Sequence, residues 1–149
     1  MFTKIQTALA AALKAHPGFP PGLGIVARRE KEVANDIEAA LGKLGVCLYV
    51  LPPLPMRCTP TETRIAFIES LEMRVRIIEQ PTLNLTGFDV WSGFQQVVLA
   101  LQGTNPGDLF AAPIGLAEHP VETLDGETKE GKNTRVWDVI FDGAFQFNS

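Results

Sequence analysis

Histidine, cysteine and surplus positive charge are all scarce in this chain, and each shortage closes off a class of chemistry. The only imidazoles are His16 and His119, each placed directly before a proline. A hydrolytic triad needs a nucleophile, a base and an orienting acid brought together. Neither histidine lies near a nucleophile-elbow pattern, so both read as surface residues in turns. Cys47 and Cys58 are the only cysteines, and the ten residues between them match neither a CxxC redox pair nor a zinc-ligand pair. They read as free thiols. With 17 acidic against 13 basic residues the formal charge is −4, which offers no net attraction to phosphate backbones or anionic lipid, so no specific nucleic-acid binding is expected. The densest basic stretch, Arg28, Arg29 and Lys31, alternates with Glu30 and Glu32 in the manner of a solvated helix face. No long apolar run or basic leader is visible; neither a signal peptide nor a membrane span is expected, and the chain reads as cytosolic.

Cofactor signatures are missing too. Gly22-Leu23-Gly24 lacks both the six-residue glycine fingerprint and a following Gly-Lys-Ser/Thr, so these glycines serve a turn. Glu62, Glu69, Glu72 and Glu79 could form an acidic metal site only if several pointed the same way, and strand alternation puts Glu72 and Glu79 on opposite faces. No metal, no cofactor and no enzymatic activity are expected.

What the chain does have is clear periodicity. Its 149 residues, 46% hydrophobic and 20% charged, suit one domain over 1–149 that buries roughly two-thirds of its unfolded surface. Phe2, Ile5, Leu9 and Leu13 recur at helical spacing until His16-Pro17-Gly18, predicting a helix over 2–15, and 17–24 is too rich in breakers to be more than a stiff loop. Val33, Ile37, Ala40, Leu41 and Leu44 mark a second helix closed by Gly45, and the apolar run Val46 to Leu51 suits a buried strand. Residues 59–68 favour a strand, with Glu69-Ser70 as a bulge or tight turn. Leu71, Met73, Val75 and Ile77 then alternate with Glu72, Arg74 and Arg76, the period-two signature of a half-buried strand running to Glu79.

A third helix follows Thr86-Gly87 and ends at Gly103. Phe88, Trp91, Phe94, Val98 and Leu101 share a face while Val90 and Val97 lie on another, so it should be covered by the sheet and by something else, its own first two helices or a neighbouring subunit. Turn signals dominate 104–132, which reads as loops and a hairpin. Trp137, Val139 and Phe141 share a face of a terminal strand that continues past Gly143 to Phe145 and Phe147. The fold class is α/β in the broad sense (α+β), a mixed, mostly antiparallel sheet packed by about three helices. The row Glu72, Arg74 and Arg76 reads as a solvated sheet face or, more sharply, as a subunit contact in which arginine forks meet carboxylates.

The order of these elements, with the strand into Glu79-Gln80-Pro81-Thr82-Leu83-Asn84, the helix carrying Trp91 and the final Trp137-Asp138-Val139-Ile140-Phe141 strand, resembles the tail terminator proteins of long-tailed bacteriophages and prophages, the lambda-like minor tail protein U group and related short tail-completion proteins. The likeness runs from about residue 25 to 147. It implies an α/β fold with a largely antiparallel sheet and a ring, usually of six subunits, closed by heterologous contacts. Such a ring would sit on the tail tube, stop its polymerisation and offer its other face to head-completion proteins, within a virion tail assembled in the host cytoplasm. Arg74, Arg76 and Glu79 are the candidate interface residues. The competing readings are another virion part of similar size, a tail-tube or head-tail joining protein, and a small α/β ligand-binding domain or enzyme, which would need a pocket joining His16 or His119 to a carboxylate.

Overall fold

Alternation and helical spacing resolve into a mixed α+β fold in the computed structural model, which describes residues 2–27, 33–60, 65–124, 126–127 and 133–146. Helix α1 (Phe2–Ala15) buries Ile5, Leu9 and Leu13 completely. Beyond the proline-rich loop the chain forms a short strand, β1 (Gly24–Val26), which runs parallel to β2 (Val46–Val50) and is joined to it through helix α2 (Val33–Leu44). The sequence gives no sign of β1. It has three residues, no alternation to detect, and exists because β2 offers it a hydrogen-bonding edge. A side chain at Gly24 would collide with Ala40 of α2, so the glycine lets helix and strand close up. Gly45 ends α2 in the left-handed region at φ 76°, as its position suggested. The basic stretch 28–32 lies outside the described residues.

Two long antiparallel strands form the spine of the sheet, β4 (Ile65–Glu79) and β7 (Asn133–Gln146). One edge of β4 is shared. Its C-terminal part pairs with β2 from Val46↔Glu79 to Val50↔Val75, and its N-terminal part pairs with β3 (Leu54–Pro60). The Leu51 N–H donates to the Arg74 carbonyl at 3.0 Å, so the ladder carries on to the Pro52-Pro53 break. The single strand expected over 59–68 is therefore corrected: that stretch holds the end of one strand and the start of the next, with 61–64 outside the described residues. At Glu69-Ser70 the chain stays in strand, and the register against β7 shifts between Ile68 and Leu71, a bulge and not a turn.

The region 104–132 holds more strand than its turn signals implied. After a 3-10 turn at Pro106–Asp108, strand β5 (Gly115–Thr123) pairs with the other edge of β7, and β6 (Gly126–Glu127) makes a short hairpin with it. Leu116 faces Phe141 and Val121 faces Val139, so residues 117–120 bulge out opposite Ile140 alone. Proline is tolerated at such edge bulges, where its missing N–H leaves no gap in the ladder.

The two faces of the sheet are dressed differently. On one, α1 and helix α3 (Val90–Leu101) pack over Leu48, Met73, Val75, Ile77, Val139 and Phe141 in the main core. On the other, α2 covers only one end, where Ala40 and Leu41 meet Cys47 and Ile78. The expectation that both earlier helices cover α3 is corrected accordingly, because α2 lies across the sheet from it. Among the described helices α1 is the one that packs closely beside α3, and Trp91 and Leu99 stay 61% and 68% exposed.

Candidate functional site

Where α2 stops, the outer sheet face carries charge instead of a second helical layer. Alternation sends Glu72, Arg74 and Arg76 of β4 to this face, and the register sets them directly beside Asp142, Ile140 and Asp138 of β7. Arg76 grips Asp138 with two prongs, Nε to Oδ1 at 2.8 Å and an Nη to Oδ2 at 3.0 Å. Arg74 bridges three strands: its Nε donates to Glu72 at 2.6 Å, and one Nη donates to Glu122 of β5 at 2.5 Å and to Asp138 at 3.2 Å. Asp138 is fully buried beneath the two guanidinium groups. Both arginines are held more firmly protonated than usual, Arg74 chiefly by the hydrogen bond to Glu72 and Arg76 chiefly by that to Asp138.

Beside this network the β5 bulge leaves a recess of about 470 Å³ lined by Met56, Ser70, Glu72, Arg74, His119 and Asp142, among others. Asp142 has no hydrogen-bond or ion-pair partner among the described residues. Its carboxyl is pushed up from the usual range by burial, and further by Glu72 directly across the strand pair. Like charges so placed repel unless a cation stands between them.

The structure does not bring the three sequence-chosen residues together. Arg74 and Arg76 share the outer face, but Glu79 lies on the helix-packed face at 5% exposure and is withdrawn as a surface contact. One of its oxygens accepts from Asn84 Nδ2 at 2.7 Å, while Oε1 is buried without a partner. Asn84 also donates to the Phe88 carbonyl at 2.8 Å and accepts from Thr86, so Glu79 braces the loop entering α3. The arginines, expected to await carboxylates from a neighbour, find them within the chain. Asp138 was missed as their partner. Its signal was present, since alternation puts Asp138 and Asp142 opposite Trp137, Val139 and Phe141, but the strand they would face was not legible.

The histidines divide. His16, expected at the surface, is half-buried, hydrogen-bonded to the Gln96 side-chain oxygen at 2.7 Å and edge-on to Phe19. His119 is exposed on the bulge and shares the recess with carboxylates, though it hydrogen-bonds to none of the described residues. Cys47 is a free thiol pushed up to about 12 by burial, so it is a poor nucleophile; the Cys58 side chain lies outside the described residues. Among the described residues, no group of three or more His, Cys, Asp or Glu is placed to hold a metal ion, and no helix is long and apolar enough to cross a membrane.

What this arrangement can do chemically is bind by charge. No family model matches the chain, and no curated protein matches it.

Proposed function

We propose that this chain is a structural protein of a bacteriophage or prophage tail, a terminator that closes into a ring of about six copies on the end of the tail tube. In that role it makes and breaks no bond. The ring removes the surface on which further tube protein would add and presents its opposite face to a head-completion protein, within a virion tail assembled in the host cytoplasm. DNA passes through without specific contact, which suits a chain of net charge −4.

The observation that carries this reading is the half-dressed sheet. A sheet face left bare of helices usually either meets solvent with scattered polar groups or meets a partner. Here the bare half holds an ordered, five-membered network of Glu72, Arg74, Arg76, Glu122 and Asp138 spanning three strands. A rigid charged surface of this kind favours orientation-specific docking over loose association. The mixed, mostly antiparallel sheet packed by helices is also the architecture that the tail-terminator resemblance implies.

The test is to add the purified protein to tail-tube protein during polymerisation and to image the tubes. Short tubes with the labelled protein at one end only would support the reading. Tubes that incorporate it along their length would reassign it to the tube itself, and tubes of unchanged length with no bound label would reject a tail-end role.

A further inference from the structure

The charged sheet face is one of two oppositely charged surfaces, and they lie on opposite sides of the molecule. On the outer sheet face, five carboxylates (Glu72, Glu118, Glu122, Asp138 and Asp142) surround two guanidinium groups. The arginines satisfy Asp138, Glu72 and Glu122, and leave Glu118 and Asp142 without a cation among the described residues. Across the core, α1 contains no acidic residue. Its exposed stripe is Lys4, Thr7, Ala11 and Lys14, where two lysines with no ion-pair partner among the described residues flank two small side chains; Asp36 of α2 lines the same recess as Thr7, Ala11 and Lys14, so the stripe keeps a net positive charge against one nearby carboxylate.

Thr7 and Ala11 between the lysines would let the helix approach closely, and the recess at the β5 bulge gives a lysine room to reach Asp142 and Glu118.

We infer that neighbouring copies meet through the lysine-bearing face of α1 on one copy and the carboxylate-rich outer sheet face at the β5 bulge on the next. The inference rests on the reading that copies of this chain assemble. Because the two surfaces differ and lie on opposite sides, the contact is heterologous, the kind that generates a ring when its rotation closes. It also brings a cation to Asp142, which has none among the described residues, whereas Glu72 across from it already holds Arg74.

Two double variants test this, K4E/K14E and E118K/D142K, each confirmed as folded by circular dichroism and thermal unfolding. In the first, an acidic helix meets an acidic sheet face; in the second, both surfaces are basic. Each variant alone is expected to run as a monomer under conditions where the wild type assembles. Their equimolar mixture is expected to recover assembly, because every contact then joins opposite charges, and to close only with an even number of copies. Either variant assembling alone as the wild type does, or a mixture that stays monomeric, would overturn this contact while leaving the ring itself standing. A wild type that stays monomeric at all concentrations would overturn both.

Discussion

Asp138 is the residue on which the charged face depends. It is fully buried, and its charge is tolerable only because Arg76 and Arg74 both donate to it. Removing it would take from Arg76 the carboxylate it grips, while Arg74 keeps Glu72 and Glu122; both guanidinium groups are a quarter or more exposed, so water recovers part of the loss. Asp138→Ala is expected to lower unfolding free energy by about 2 kcal/mol, read from urea melts with an unchanged slope. Asp142 should behave in the opposite way. Its folded carboxyl is raised, so the folded state holds the proton more tightly than the unfolded chain, and stability falls as pH rises from the ordinary carboxylate range through the folded value. Asp142→Asn is therefore expected to raise the melting temperature at neutral pH, with the gain vanishing in acid; equal melting temperatures at neutral pH would refute the repulsion. At this scale, half of the site was legible. Alternation alone put Arg74 and Arg76 on one face. Asp138 was not readable as their partner because the bond to Arg76 spans 62 positions and depends on the β4–β7 register. Glu79 looked like a surface charge because a carboxylate on the core side of a strand is unusual, and nothing local announces that Asn84 will receive it.

Elements that fold on their own pattern were readable, and elements made by pairing were not. α1, α2, β2, the second half of β4 and most of β7 carry periodicity strong enough to fix their type and facing. β1, β3 and β5 do not, since one has three residues and the others contain Pro55, Pro60 and Pro120, which break a strand pattern yet are tolerated at sheet edges. The start of α3 illustrates the same limit. Phe88 was counted into the helix on hydrophobic spacing, whereas Asp89 caps it by accepting from the Ser92 N–H at 2.9 Å. That bond holds the Asp89 carboxyl below its usual range, so its contribution is present above the unfolded value and is lost as pH falls through the folded one. Asp89→Ala is expected to cost about 1 kcal/mol at neutral pH, and the difference from wild type should shrink on acidification. A pH-independent difference would mean that the cap does not act through its charge.

Across the whole molecule, the asymmetry of the sheet gives the account its direction. One face is closed by two helices, while the other is closed at one end and charged at the other, with Leu54 and Met56 of β3 more than half exposed nearby. A contact that joins the front of one copy to the unlike back of the next is head to tail, and head-to-tail contacts either close into rings or run on as filaments. The measurement that bears most directly on the proposed function is native mass over a concentration series, with electron micrographs of the same samples. The account predicts one closed species of about six copies whose mass stops rising with concentration. A mass that climbs without limit as stacked tubes appear, or a monomer throughout the series, would contradict it.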